Sequence, residues 1–450
     1  MKPLTPAGTV SVVTLGCEKN TVDSEVLMGK LRRRGLRLVA DPEQAETIIV
    51  NTCGFIDHAK KESIDAILEA TELKRGAAKD GRTTRVLVAG CLSERYRSEL
   101  ETEISEVDGY FGTQDFENIL SSFGPEEALS LGFDPKLDLI SERVLTTPKH
   151  FAYMKISEGC DHPCSFCAIP IMRGGHRSRS IEELEFEAMM LASNGLKELV
   201  LIAQDSTYYG LDNYGSRTLA KLLERLCRVN GIEWIRLMYA YPAQFPLDVL
   251  DVMAGEEKIV KYLDMPVQHA STNVLKHMRR GITRRATEEL VAQIRNRIPG
   301  IALRTTLITG FPTESDQEFE ELEQFVGEMQ FDRLGVFTYS QEEGTSAHPL
   351  GDPIPQAEKF RRQRRLYELQ EEVAQEKRLT RIGSMERALI ERAEGEFYFG
   401  RTRYDAPEVD EHVRILASGN DTIAVGTFAD IQITSAADSD AEYELESVLL

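Results

Sequence analysis

At 450 residues, with 42% hydrophobic residues and a single Trp, the chain has the apolar mass for several cores, and its length points to about three domains. No run of about 18 apolar residues occurs, which excludes a transmembrane helix, and Met1-Lys2-Pro3-Leu4-Thr5-Pro6 lacks a signal-peptide core, so a cytoplasmic protein is expected. The formal net charge of −21 disfavours a phosphate backbone as partner unless a local basic patch intervenes, and leans towards a protein or basic partner.

Residues 1 to about 145 alternate short apolar runs with helical stretches. Val10–Leu15, Thr47–Val50 and Arg85–Ala89 read as strands, and Asp57–Glu72 as an amphipathic helix with Ile64, Ile67 and Leu68 on one face. Strands separated by helices imply a parallel sheet with right-handed crossovers. Such a sheet collects the C-terminal ends of its strands at one edge, where sites form. Cys17, Cys53 and Cys91 follow the three strands at intervals of 36 and 38 residues. Gly16, Gly54 and Gly90 flank them, as expected where backbone approaches a cofactor closely. Fold logic thus gathers three distant cysteines. The competing reading is three small core residues at strand ends.

A polar stretch, Ser121 to Pro148, reads as a linker. The next segment, about 149 to 375, offers six strands: Ala152–Ile156, Glu198–Ile202, Trp234–Met238, Lys261–Asp264, Ala302–Ile308 and Leu334–Thr338. Six β/α units suggest an open or partial relative of the (β/α) barrel, with function at the C-terminal strand ends. The first strand leads into Glu158-Gly159-Cys160-Asp161-His162-Pro163-Cys164-Ser165-Phe166-Cys167. Three thiolates can hold three irons of a 4Fe–4S cubane and leave the fourth open to a substrate, whereas an electron-carrying cluster usually takes four cysteines. Zinc completed by His162 or a distant ligand is the alternative. Seven cysteines without a secretion signal argue for metal or redox use over disulfides. Cys227, in the helical Leu222–Cys227, reads as a buried structural thiol.

A charged helix follows, Gln356 to about Arg381. Its Arg361-Arg362-Gln363-Arg364-Arg365 run reads as a solvated face, with nucleic-acid contact as the alternative. The last 70 residues carry short β-like runs, Glu386–Ile390, Phe397–Phe399, His412–Leu416, Thr422–Val425 and Ile431–Thr434, suggesting a small antiparallel barrel of the oligonucleotide-binding type. From residue 381 onward there are 6 Arg, no Lys and 15 Asp plus Glu, a net charge of −9. A barrel that grips RNA should be basic and show stacking aromatics. This one better suits a Lys- and Arg-rich protein, or an acidic surface kept for solubility.

The C-x3-C-x2-C spacing, with an aromatic before the last cysteine, resembles the signature of radical S-adenosylmethionine (SAM) enzymes. Over nearly the whole chain the order of segments is similar to the methylthiotransferase family. That resemblance implies an N-terminal cluster domain over 1–145, a radical SAM domain over 146–377 and a TRAM β-barrel over 378–450. The family has a branch acting on an adenosine of transfer RNA and a branch acting on an aspartate of small-subunit ribosomal protein S-twelve. Phe151–Cys160 leading into Ile169–Arg179, and the acidic, Ala-Pro-containing Gly400–Asp410, resemble the second branch.

The resemblance implies that Cys160, Cys164 and Cys167 bind the radical-generating 4Fe–4S cluster. Cys17, Cys53 and Cys91 bind an auxiliary 4Fe–4S cluster that carries sulfur. One SAM methylates that sulfur. A second yields a deoxyadenosyl radical, which takes hydrogen from the aspartate β-carbon before the methylthio group is transferred. The auxiliary site should then face the SAM pocket across a dry gap. No catalytic residue is assigned beyond the cluster ligands. For SAM the resemblance points to Gln204 and Asp205 at the methionine moiety, to Thr309 and Gly310 at the adenine-side turn, and to Phe166 beside the adenine. Each of the strand-end pairs reads equally as a cap or turn. Gln268 and His269 are weaker candidates. Implied partners are the ribosomal protein, an electron donor such as flavodoxin or ferredoxin, and a sulfur source. Transfer RNA is the alternative substrate, and a non-catalytic iron–sulfur protein that binds ribosomes stands third. Asp405, Glu408, Asp410 and Glu411 are expected to form an acidic face that docks the basic substrate.

Overall fold

The computed structural model describes residues 8–124, 143–417, 423–437 and 443–450. The N-terminal strands are β1 (Thr9–Thr14), β2 (Arg37–Leu38), β3 (Thr47–Thr52), β4 (Arg85–Gly90) and β5 (Gly109–Tyr110). They form one parallel sheet in the order β2-β1-β3-β4-β5. The three strands that precede the cysteines are therefore its adjacent centre. The helix Asp57–Lys79 buries Ser63, Ile67, Ala70, Thr71 and Ala77, while Ile64 and Leu68 are exposed. The expected face is thus corrected to a narrower stripe centred on Ile67. Small residues let the helix lie close to the sheet, and Ser63 exchanges hydrogen bonds with the Cys53 backbone.

Of the expected linker, residues 125–142 lie outside the described residues. Its end is fastened: Arg143 pairs with Glu25 and Glu187, and Thr146 donates to Glu25 through its backbone N–H and its hydroxyl.

The second sheet contains β6 (Phe151–Lys155), β9 (Glu198–Ile202), β10 (Trp234–Leu237), β11 (Ile259–Asp264), β12 (Ala302–Thr309) and β13 (Arg333–Thr338), with a two-stranded ribbon of β7 (Ser157–Glu158) and β8 (Arg177–Ser178) beside it. The six main strands run parallel in the order β13-β12-β11-β10-β9-β6. Both faces are buried, because alternate residues point to opposite sides. Ala152, Met154, Leu199, Leu201 and Leu237 belong to the large core with the flanking helices. Tyr153, Val200, Ile202 and Tyr262 face the other way, where Val22 of the first domain and Leu389 and Ala406 of the C-terminal barrel cover them.

That barrel is closed by β14 (Met385–Glu394), β15 (Phe397–Thr402), β16 (His412–Leu416), β17 (Phe428–Ala436) and β18 (Tyr443–Leu449). Four pairings are antiparallel, and β16 with β18 is parallel. Of the expected strand Thr422–Val425, Thr422 lies outside the described residues and the rest is not strand. β18 takes its place in the barrel.

Two charged features differ from expectation. Arg362 is buried, pairing with Glu314, Asp316 and Glu358, so the Arg run is only partly a solvated face. The acidic segment of the barrel turns inward. Asp405 is 1% exposed and accepts from Arg333 at 2.7 Å. Asp410 accepts from the Tyr262 hydroxyl, and Glu408 from the Tyr153 hydroxyl, each at 2.8 Å. Of the four residues expected to form a docking face, Glu408 and Glu411 are exposed, Asp410 is half-buried and Asp405 is buried. The cause is that β6, β11 and β13 present buried donors towards the barrel, and buried donors must be satisfied.

Candidate functional site

Cys17 is the N-cap of the helix Glu18–Arg33, and Cys91 opens the helix Cys91–Glu103. Cys53 directly follows β3. Two helix N-termini thus point positive ends at the triad, a setting that favours anions. The three loops are laced together. Asn20 donates to the Leu15 and Thr52 carbonyls at 2.8 and 3.0 Å, and Thr52 Oγ1 donates to the Ala89 carbonyl at 2.6 Å. A Cβ on Gly16 would lie 2.6 Å from Cys53 Cβ and 2.9 Å from its Sγ, and one on Gly54 would lie 2.8 Å from Leu92 Cα. The glycines are what allow the cysteine loops to close on one another. Burial pushes the Cys53 thiol up, and the Cys91 thiol up to about 12.

The second triad leaves β6 through the β7–β8 ribbon. Gly159 has φ +75°, and a Cβ there would lie 2.1 Å from the Gly175 carbonyl oxygen. Cys160 N–H donates to the Gly174 carbonyl, and Cys167 N–H to the Cys164 carbonyl. The end of β9 grips the loop on both sides of Cys160. Gln204 Nε2 donates to Glu158 Oε1 at 2.9 Å, and Asp205 Oδ2 meets His162 Nε2 at 2.6 Å. His162 also stacks on Tyr241 at 3.7 Å, so its ring is already committed. Arg280 Nη1 approaches Cys164 Sγ at 3.4 Å. Burial raises the Cys160 and Cys167 thiols to about 12. Among the described residues no three Cys, His, Asp or Glu side chains crowd together as a single-ion site. A cubane, seating one thiolate per iron corner, needs a wider triad.

The segment that follows the second triad touches the first triad's Cys91. Cys91 packs against Ala168 and Met172 of the segment that follows Cys167. Behind them, Arg173 reaches Asp23 at 2.9 Å and Glu158 at 3.1 Å, and also pairs with Asn20. Lys155 pairs with Asp23 and Glu158. Burial alone would raise the Glu158 carboxyl, but Lys155 and Arg173 outweigh it and hold the group well below the usual range. Further out, Arg95 and Lys60 pair with the buried Glu342, and Lys19 sits over the Tyr239 ring. The first domain therefore closes over the C-terminal ends of the second sheet.

Buried acceptors and donors without protein partners line that mouth: Gln204 Oε1 after β9, Gln268 Oε1 after β11 and the Tyr339 hydroxyl after β13. Unmet polar atoms of this kind fit a polar ligand such as SAM. Phe166 packs against the cluster of Val274, Met278, Phe311, Tyr339 and Ala347, the apolar side of the same mouth. Thr309 is fully buried. Gly310 turns at φ +74° against Lys359, and its N–H donates to Glu314. His269 is fully buried between Glu314 and the Ser271 N–H, a satisfied structural residue. Sequence reading missed Asn20, Lys155, Arg173, Tyr241 and Arg280. Arg173 stands six residues after Cys167, but no spacing rule marks it.

Residues 9–112 match the uncharacterized protein family UPF0004, residues 154–326 the radical SAM superfamily and residues 382–444 the TRAM domain. The chain is 50% identical over 431 residues to the ribosomal protein uS12 methylthiotransferase RimO of Christiangramia forsetii, covering 96% of this chain and 93% of that one. It is 52% identical over 427 residues to the protein of the same name from Chloroherpeton thalassium, covering 94% and 95%. Among solved structures, the radical SAM methyltransferase TsrM of Kitasatospora setae superposes with a TM-score of 0.56 at 15% identity, covering 76% of this chain and 77% of that one. This last likeness is one of fold.

Proposed function

The chain belongs to the ribosomal protein uS12 methylthiotransferase RimO family, and from that premise we propose that it places a methylthio group on the β-carbon of an aspartate in uS12, the small-subunit ribosomal protein S-twelve. It is a transferase of the radical SAM type, working with SAM and a 4Fe–4S cluster. We assign that cluster to Cys160, Cys164 and Cys167, and a second, sulfur-carrying 4Fe–4S cluster to Cys17, Cys53 and Cys91. When bound, the first supplies the electron that splits SAM and the second supplies the sulfur.

The chain's own residues prepare the reaction. Gln204 and Asp205 fix the loop around Cys160 through Glu158 and His162. Gln204 Oε1 and Gln268 Oε1 offer acceptors to the amino group of SAM, and Phe166 with Phe311 offers an apolar wall to its adenine. Thr309 and Gly310 shape the turn behind that wall. The first domain, latched through Arg95, Lys60 and Glu342, excludes water from the gap in which a carbon radical must survive. The observation that carries the reading is the packing of Cys91 against Ala168 and Met172, just after Cys167, beside the buried Arg173, Asp23 and Glu158.

The transfer-RNA alternative is opposed by the barrel. It is acidic, and among its described residues the large exposed apolar side chains, Ile382, Met385, Val409, Leu416, Val425 and Leu450, include no aromatic; Phe397, Tyr404, Phe428 and Tyr443 are half-buried, so no fully exposed stacking platform is offered to bases. An electron donor such as flavodoxin or ferredoxin and a sulfur source complete the reaction. No described helix is long and apolar enough to cross a membrane, and we place the enzyme with its substrate in the cytoplasm. We propose domain boundaries near residues 145 and 377, the second inside the last turns of the helix Gln356–Arg381.

Mass spectrometry of uS12 and of bulk transfer RNA, from cells with and without the gene, tests the reading. Loss of the methylthio group from uS12 alone is expected. Loss from transfer RNA alone would overturn it. SAM cleavage by the reduced protein separates either enzyme from a non-catalytic ribosome-binding protein.

A further inference from the structure

Arg173 is among the largest fully buried side chains of the molecule, 2% exposed, in a chain of net charge −21. It ends the short helix Ile169–Arg173 that follows the second cysteine triad, yet its guanidinium lies with the first. It shares the Asn20 side chain with Cys91: Nη2 donates to Asn20 Oδ1, and Cys91 Sγ lies 3.9 Å from the same oxygen. Burial pushes the Cys91 and Cys53 thiols up, and Arg173 pulls both the other way. Nη1 meets Asp23 Oδ2 of the first domain at 2.9 Å and, on the other side, both Glu158 oxygens at 3.1 Å, and Lys155 pairs with the same two carboxylates. Glu158 in turn accepts from Gln204 at 2.9 Å and lies two residues before Cys160. Arg173 is therefore the cation that the first-triad loops share, through Asn20 and Asp23, with Glu158 on the side of the second triad.

Three thiolates around an iron–sulfur cluster leave the auxiliary site with net negative charge, and each added electron increases it. A buried fixed cation makes that addition more favourable, since Coulomb interactions are strong where water is excluded. Net charge and hydrogen bonds near the sulfurs are among the levers that set cluster potentials. We propose that Arg173 is a positioning residue for the auxiliary cluster, supplying the counter-charge that raises its reduction potential, with Glu158 holding the guanidinium in place from the SAM side. This rests on the two-cluster reading above.

The test uses the full chain with Cys160, Cys164 and Cys167 all changed to Ala, so that only the auxiliary cluster can load. Iron near four per chain after anaerobic reconstitution is expected from the stoichiometry of one cluster. No iron there would sink the two-cluster reading whatever Arg173 does. In that background Arg173→Gln and Arg173→Lys are compared by redox titration followed by electron paramagnetic resonance. The Gln variant should load iron and titrate at a more negative midpoint, with the Lys variant close to the parent. Loss of iron from the Gln variant alone would overturn the tuning role, because the charge would then be needed to hold the cluster and not to set its potential. An unchanged midpoint in a fully loaded Gln variant overturns the proposal. So does loss of iron from both variants, which would mark the fork geometry rather than the charge as essential.

Discussion

A methyl group at Gly159 would lie 2.1 Å from the Gly175 carbonyl oxygen and 2.6 Å from that of Gly174. Both obstacles are backbone, so neither can rotate away, and φ there is +75°, which costs an L residue about 1 to 3 kcal/mol by itself. Gly159→Ala should push the cysteine loop off the ribbon. Iron in the reconstituted protein should fall from about eight to about four by cluster stoichiometry, with SAM cleavage lost. Gly195 is the control: its φ is +94°, but no atom lies within 4 Å of the added Cβ. Gly195→Ala should lower Tm slightly and leave iron and cleavage intact. Equal iron loss in both variants would mean that conformational strain, not the close approach, decides. At this scale the cysteines were legible, because ligand spacing is a local property. Arg173, Asn20 and Arg280 were not. Their meaning arises from contacts such as that of Arg173 with Asn20, 153 residues apart.

The six parallel strands of the second sheet were all foreseen, since a strand buried on both faces reads as a continuous apolar run. β2 and β5 span two residues each, too short for any pattern. β18 failed differently: Tyr443, Leu445 and Ser447 alternate with Glu444 and Glu446, and the acids conceal a strand whose buried side is half polar. The barrel's net charge of −9 from residue 381 onward suggested a docking surface, but several of its acids are spent on a joint inside the molecule. Arg333 meets Asp405, Asp410 and Glu444. This makes the element boundary between β13 and the barrel an ion cluster rather than an apolar joint. Arg333→Met should leave the buried Asp405 without its ion-pair partner, held by the Thr402 N–H and hydroxyl and by the charge of Arg381. Breaking a buried pair from one side costs about 3 to 5 kcal/mol, read as a lower Tm with iron content per folded chain unchanged. A melting temperature equal to the parent's would show that the cluster contributes nothing to holding the barrel. Reversing the charge of Asp405 or Asp410 would damage this joint first, so exposed Glu411 is the cleaner site for probing substrate capture.

Across the whole molecule, charged pairs of this kind recur wherever two domains meet. Glu187 pairs with Arg143 and Arg179. Glu198 lies between Arg236 and Arg401, all three fully buried. Glu391 takes Arg401, His150 and His412, and Asp405 takes Arg333. Burial works to raise each of these four carboxyls, yet the facing cations and hydrogen bonds outweigh it, and all four sit below their ordinary values. A group depressed in the folded state binds fewer protons there than in the unfolded chain. Its stabilisation is complete above the unfolded carboxyl value, about 4, and drains away as pH falls through the folded one. Each such group then contributes a slope of up to about 1.4 kcal/mol per pH unit. Thermal melts should therefore be nearly flat in these terms from pH 7 to 5 and fall steeply below about 4.5, the onset of protonation in the unfolded chain. Glu391→Gln, which removes one titrating joint, should start from a lower Tm and show a shallower acid limb. A Tm that holds steady down to pH 3.5 would mean that these carboxylates do not carry the assembly, and that apolar contacts such as Trp234 against Phe428 do.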